Sequence, residues 1–179
     1  MKTTMAALAI ALLCGATAGA QTHQPYAGMQ DRPVKALSEQ QIADLKAGRG
    51  MGLALAAELN GYPGPVHVLE LAAALGLSDE QRAKAAELFD AMKREAVPLG
   101  ERLITAETAL DRQFADKTVT ASSLGEATRD IASVQGELRL AHLKYHLATL
   151  ELLTPDQAAR YDTLRGYGGA HHAPGQHGR

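Results

Sequence analysis

The chain has 179 residues, with 18 basic and 20 acidic side chains and a formal net charge of −2, so neither nucleic acid nor an anionic membrane face is expected as a partner. With no Trp, two Phe and 46% hydrophobic residues rich in Ala and Leu, the composition favours closely packed helices over a sheet sandwich. The single cysteine, Cys14, excludes an internal disulfide.

Lys2, an apolar run over residues 5–13 and Ala18-Gly19-Ala20 predict a secretory signal peptide over 1–20, cleaved after Ala20. The apolar run is too short to span a bilayer comfortably, and no later segment approaches the ~20 apolar residues that a spanning helix needs; stable membrane insertion is not expected. Removal of the leader leaves no cysteine and a net charge of −3. Residues 21–37, polar and interrupted by Pro25 and Pro33, read as an exposed lead-in to a helical domain over 38–166. A short helix over 39–47 is broken by Gly48, Gly50 and Gly52. Residues 51–59 are apolar on nearly every side, which suits a helix wedged in an interface. Asn60-Gly61-Tyr62-Pro63-Gly64-Pro65 has the chemistry of a tight turn. A helix over 66–75 follows, ended by Gly76 in the left-handed conformation.

A long helix to about Ala115 carries Phe89, Met92, Ala96, Leu99, Leu103, Ala106 and Leu110 at steps of three and four, a coiled-coil seam. Pro98 predicts a bend over 94–100. After a turn over 116–120, a second long helix, capped at Ser122 or Ser123, repeats the spacing from Leu124 to Leu152. The fold class is therefore all-α: a long antiparallel helical hairpin with short flanking helices. Leu140, Leu143, Leu147 and Leu150 form a second apolar surface off the seam, to be covered by 51–59, by a partner subunit or by a client. A last helix spans 155–165, and the Gly- and His-rich residues 167–179 read as a disordered tail.

Three segments share one pattern: Leu37-Ser38-Glu39-Gln40-Gln41, Leu77-Ser78-Asp79-Glu80-Gln81 and Leu153-Thr154-Pro155-Asp156-Gln157. Each predicts a helix start, with the hydroxyl accepting from a first-turn N–H and the Gln returning to the cap. A secreted helical chain with repeated L-[ST]-x-x-Q starts resembles the Spy/CpxP family of periplasmic stress proteins and its heavy-metal sensor and zinc-resistance-associated relatives. The resemblance covers residues 77–165. It implies a homodimeric helical hairpin in the periplasm, acting either as an ATP-independent chaperone for unfolded clients or as a metal-responsive regulator; a regulator that docks on an envelope sensor protein is a third reading.

His142-x-x-x-His146 puts two imidazoles on one helical face within reach of a single ion. His67 and Glu70, three residues apart, would complete a three-His, one-carboxylate shell for zinc, nickel, cobalt or copper if their helix folds back on the second long helix. The resemblance implies a similar origin of ligands, from an early and a late helix. The alternative is a structural, hydrogen-bonded role for the imidazoles. His171, His172 and His177 offer a looser site. No G-x-S-x-G elbow or H-E-x-x-H is present, and Gly48-x-Gly50-x-Gly52 follows no predicted strand; an enzyme is not expected. The two functional readings are a metal-binding stress or heavy-metal resistance protein and a metal-independent holdase or regulator.

Overall fold

The structure, a computed structural model, describes residues 25–167. They hold a short 3-10 turn (Met29–Asp31) and seven α-helices: α1 (Glu39–Lys46), α2 (Leu55–Glu58), α3 (Pro65–Glu70), α4 (Ala72–Leu75), α5 (Asp79–Ala115), α6 (Ala121–Leu152) and α7 (Pro155–Leu164). No strand occurs among the described residues. The predicted leader and most of the tail, with His171, His172 and His177, lie outside them.

Helices α5 and α6 form the hairpin, and their seams meet as the spacing predicts: Ala96 and Leu103 of α5 share one buried core with Ile131, Val134 and Leu138 of α6, and Met92 is buried as well. Helix α5 runs unbroken through Pro98. Two residues on, α1 packs closely against α5: a Cβ on Gly100 would stand 2.5 Å from the Leu45 carbonyl oxygen. The start of α6 differs from the prediction. Thr120, in extended backbone, caps the helix, and Ser123 takes the reciprocal place with its hydroxyl accepting from Thr120 N–H at 3.0 Å.

The flanking segments depart further. The expected exposed lead-in buries Val34 and Leu37 in a core with Leu45, Ala96, Leu103 and Val134. Only residues 55–58 of the apolar stretch 51–59 are helical; Ala57 and Glu58 are buried while Met51, Leu55 and Leu59 are exposed. Two of the four α6 leucines stay uncovered, Leu140 at 61% and Leu147 at 54% exposed, while Leu143 and Leu150 are half-buried. Gly52 at φ 83° and Met51 at φ 43° explain the short helix, since left-handed residues cannot continue it. The helix predicted over 66–75 is two pieces divided at Leu71, and Gly76 ends the second at φ 66° as expected.

A second core gathers Val68, Leu75, Leu77, Ala85, Leu153 and Tyr161 at the open end of the hairpin. Two of the repeated motifs meet there. All three copies form complete capping boxes, but Gln81 and Gln157 also bond each other. Gln81 Nε2 donates to Gln157 Oε1 at 2.8 Å, and Gln157 Nε2 donates to Gln81 Oε1 at 3.0 Å. Gln81 Nε2 also reaches the Leu152 carbonyl at 3.0 Å. The same two amides thus start two helices and hold those starts together. Tyr167, assigned to the tail, packs against this core.

Candidate functional site

On α6, His142 and His146 stand one turn apart on the face covered by residues 48–67. His142 is 2% exposed and His146 is also buried, so neither merely flanks the hairpin. Two glycines make room for them. A Cβ on Gly64 would stand 3.0 Å from His146 Nε2, and one on Gly50 would stand 3.6 Å from His142 Nδ1. A larger residue at 64 would crowd the His146 ring edge.

Hydrogen bonding assigns the His146 tautomer. Nδ1 lies 2.6 Å from the Tyr62 carbonyl, which only accepts, so Nδ1 carries the proton and Nε2 keeps its lone pair in the neutral ring. His142 Nε2 is buried with no hydrogen-bond partner. Burial holds the His142 pKa below the ordinary imidazole value, and a charge on neighbouring His146 adds to the effect. His142 is therefore neutral near pH 7 and retains a lone pair, the form a metal requires.

Sequence reasoning missed Glu58. It is 6% exposed, yet it is the one charge in the apolar stretch 51–59, and that isolation was the available signal. Its Oε1 accepts from the Tyr161 hydroxyl at 2.5 Å and the Tyr167 hydroxyl at 3.3 Å, and its Oε2 accepts from Gly64 N–H at 3.2 Å. Arg165 Nε lies 3.4 Å from Oε1 but is not aligned to donate to it, so its contribution is charge proximity. His146 Nδ1 is 3.7 Å from Oε2, close enough for attraction if that ring protonates. Burial, followed by the bond to Glu58, pushes the Tyr161 phenol upward, so it remains a proton donor.

The imidazoles open on a cavity of about 560 Å³ whose lining includes His67, His142, His146, Glu58, Phe89 and Met92. Three of the four predicted ligands therefore share one space. Glu70 does not line it; its side chain is 59% exposed and lies 3.1 Å from His67 Nδ1. Such a carboxylate contact orients an imidazole and leaves its other nitrogen free. Among the described residues, no three His, Cys, Asp or Glu side chains stand close enough together to hold an ion as placed. The donor chemistry fits a divalent transition metal through the His142 and His146 pair, and a third ligand requires His67 to move inward.

Residues 66–165 match the model of the LTXXQ motif family protein. The chain belongs to the LTXXQ motif family. The match includes the paired motifs at Leu77–Gln81 and Leu153–Gln157, whereas Leu37–Gln41 lies before it. The family is that of the periplasmic, stress-related proteins of the Spy/CpxP type. No curated protein and no solved structure matches the chain. Among the described residues, no helix of this LTXXQ protein is long and apolar enough to cross a membrane.

Proposed function

We propose that this LTXXQ protein binds a divalent transition metal in the envelope and takes part in metal-stress sensing or resistance. His142 and His146 would hold the ion from α6, and His67 would close on it from α3 while Glu70 orients the His67 ring. The bound ion would draw α3 toward α6; the reading contains no catalytic step. The observation that carries it is the buried, unpartnered Nε2 of His142. Leaving a buried polar atom unsatisfied costs about 1–3 kcal/mol, and a ligand there offsets that cost.

Zinc, nickel, cobalt and copper titrations of the chain from Gln21 onward, as wild type and as His142→Ala/His146→Ala, test the assignment. The wild type should bind one more equivalent than the double variant. Identical binding would place the metal on the tail histidines and end this reading.

The exposed Leu140 and Leu147, seven residues apart on α6, favour a second reading: an ATP-independent holdase, or a homodimer that pairs this row. Suppressed aggregation of a denatured client in the presence of a chelator supports the holdase, and Leu140→Ser/Leu147→Ser should abolish that activity. Sedimentation of the same variant tests the dimer. A regulator that docks on an envelope sensor protein without needing metal is a third reading.

A further inference from the structure

An ion bound by imidazoles at ~2.0–2.1 Å needs only a small part of a cavity of about 560 Å³. The volume falls within the roughly 300–1,000 Å³ typical of small-molecule sites. Away from the histidines, Met51, Leu55, Phe89 and Met92 supply apolar wall, and Arg49 and Lys93 supply positive charge. Their charges are not equally available. Arg49 is paired with Asp44 at 2.6 Å, whereas Lys93 Nζ lies 5.7 Å from the Phe89 ring centroid and has no ion-pair partner among the described residues. Glu58 is the one carboxylate lining the cavity among the described residues, and the hydroxyls of Tyr161 and Tyr167 and the Gly64 amide already engage it. Lys93 is exposed to solvent, so a hydrated ammonium with no carboxylate partner stands beside the apolar wall, in a chain of net negative charge.

We infer that this cavity binds a small apolar monocarboxylate, with its body against Phe89, Met92, Met51 and Leu55 and its head at Lys93. Charge complementarity selects the class. A cationic amphiphile would bring a second positive charge beside Lys93, and a neutral one would gain nothing from the ammonium's charge. This inference goes beyond metal binding and does not depend on it, because the head group is placed at Lys93 and the ion at the imidazoles.

Calorimetric titration of the chain from Gln21 onward, with chelator and below micellar concentrations, tests the inference with decanoate and decylammonium. Decanoate should bind saturably with one-to-one stoichiometry, and decylammonium should bind at least about tenfold more weakly. Lys93→Gln should weaken decanoate by about tenfold while its zinc isotherm stays unchanged, and Lys84→Gln, remote on α5, should match wild type. Leu55→Asp, at an exposed wall position, should weaken decanoate independently and provides a second test should Lys93→Gln lose helicity. Absence of saturable decanoate binding, equal affinity for the two amphiphiles, or unchanged binding in the Lys93→Gln and Leu55→Asp variants would overturn the proposal. The zinc result has no bearing on any of these outcomes.

Discussion

The two ends of the contact between α6 and its flanking segments treat polar groups in opposite ways. Where α5 and α7 begin, each glutamine amide caps its own helix and bonds the other, beneath buried Leu77 and Leu153. Around His142 and His146, a cavity remains and one imidazole nitrogen has no partner. The first arrangement is closed, and any change in it costs stability. The second leaves hydrogen-bonding capacity and space for a ligand, which is why metal and carboxylate binding are assigned there.

Glu58 joins the two regions, so its removal should have the largest effect. Glu58→Ala would leave the Tyr161 hydroxyl and Gly64 amide without their acceptor and release His146 from a nearby carboxylate. We expect a loss of about 3–5 kcal/mol in chemical denaturation. A loss below about 1 kcal/mol would mean that the two regions are held together by other contacts.

A smaller effect should separate the three motif copies. Gln157→Ala removes both a cap and the reciprocal amide pair, and should cost about 1–2 kcal/mol. Gln41→Ala removes only the local cap and should cost about 0.5–1 kcal/mol. Equal losses would show that the contact between amides adds nothing.

The smallest expected effect is pH dependence of the metal-free fold through His142. Because its folded pKa is lowered, the unfolded chain binds the proton more readily as pH falls below the ordinary value of ~6.5. The stability that depends on a neutral imidazole is complete above that value and declines as pH drops toward the folded pKa. Denaturation midpoints should therefore fall between pH 7 and 5, and His142→Phe should flatten the profile. An unchanged slope in the variant would assign the titration elsewhere.

The candidate site was only partly legible. His142 and His146 were readable from their spacing because i and i+4 share a helix face in any context. His67 lines the same cavity as they do and Glu70 does not, since three-residue spacing puts Glu70 beside His67 without saying which side faces α6. Glu58 went unread because its partners Tyr161 and Tyr167 lie 103 and 109 residues away, and no local pattern joins them.

The helix starts at the three L-[ST]-x-x-Q copies and the hairpin could be read from the chain alone because capping and heptad spacing depend on residues within a few positions of one another. The three capping boxes and the two seams are of that kind. Tertiary structure alone decided that two of the three motif copies pair, that Val34 and Leu37 join the core, and that residues 51–59 leave Leu140 and Leu147 exposed. Each of those outcomes depends on which distant surfaces meet. Left-handed backbone at Met51 and Gly52, and the missing side chains at Gly64 and Gly100, determine how closely those surfaces approach.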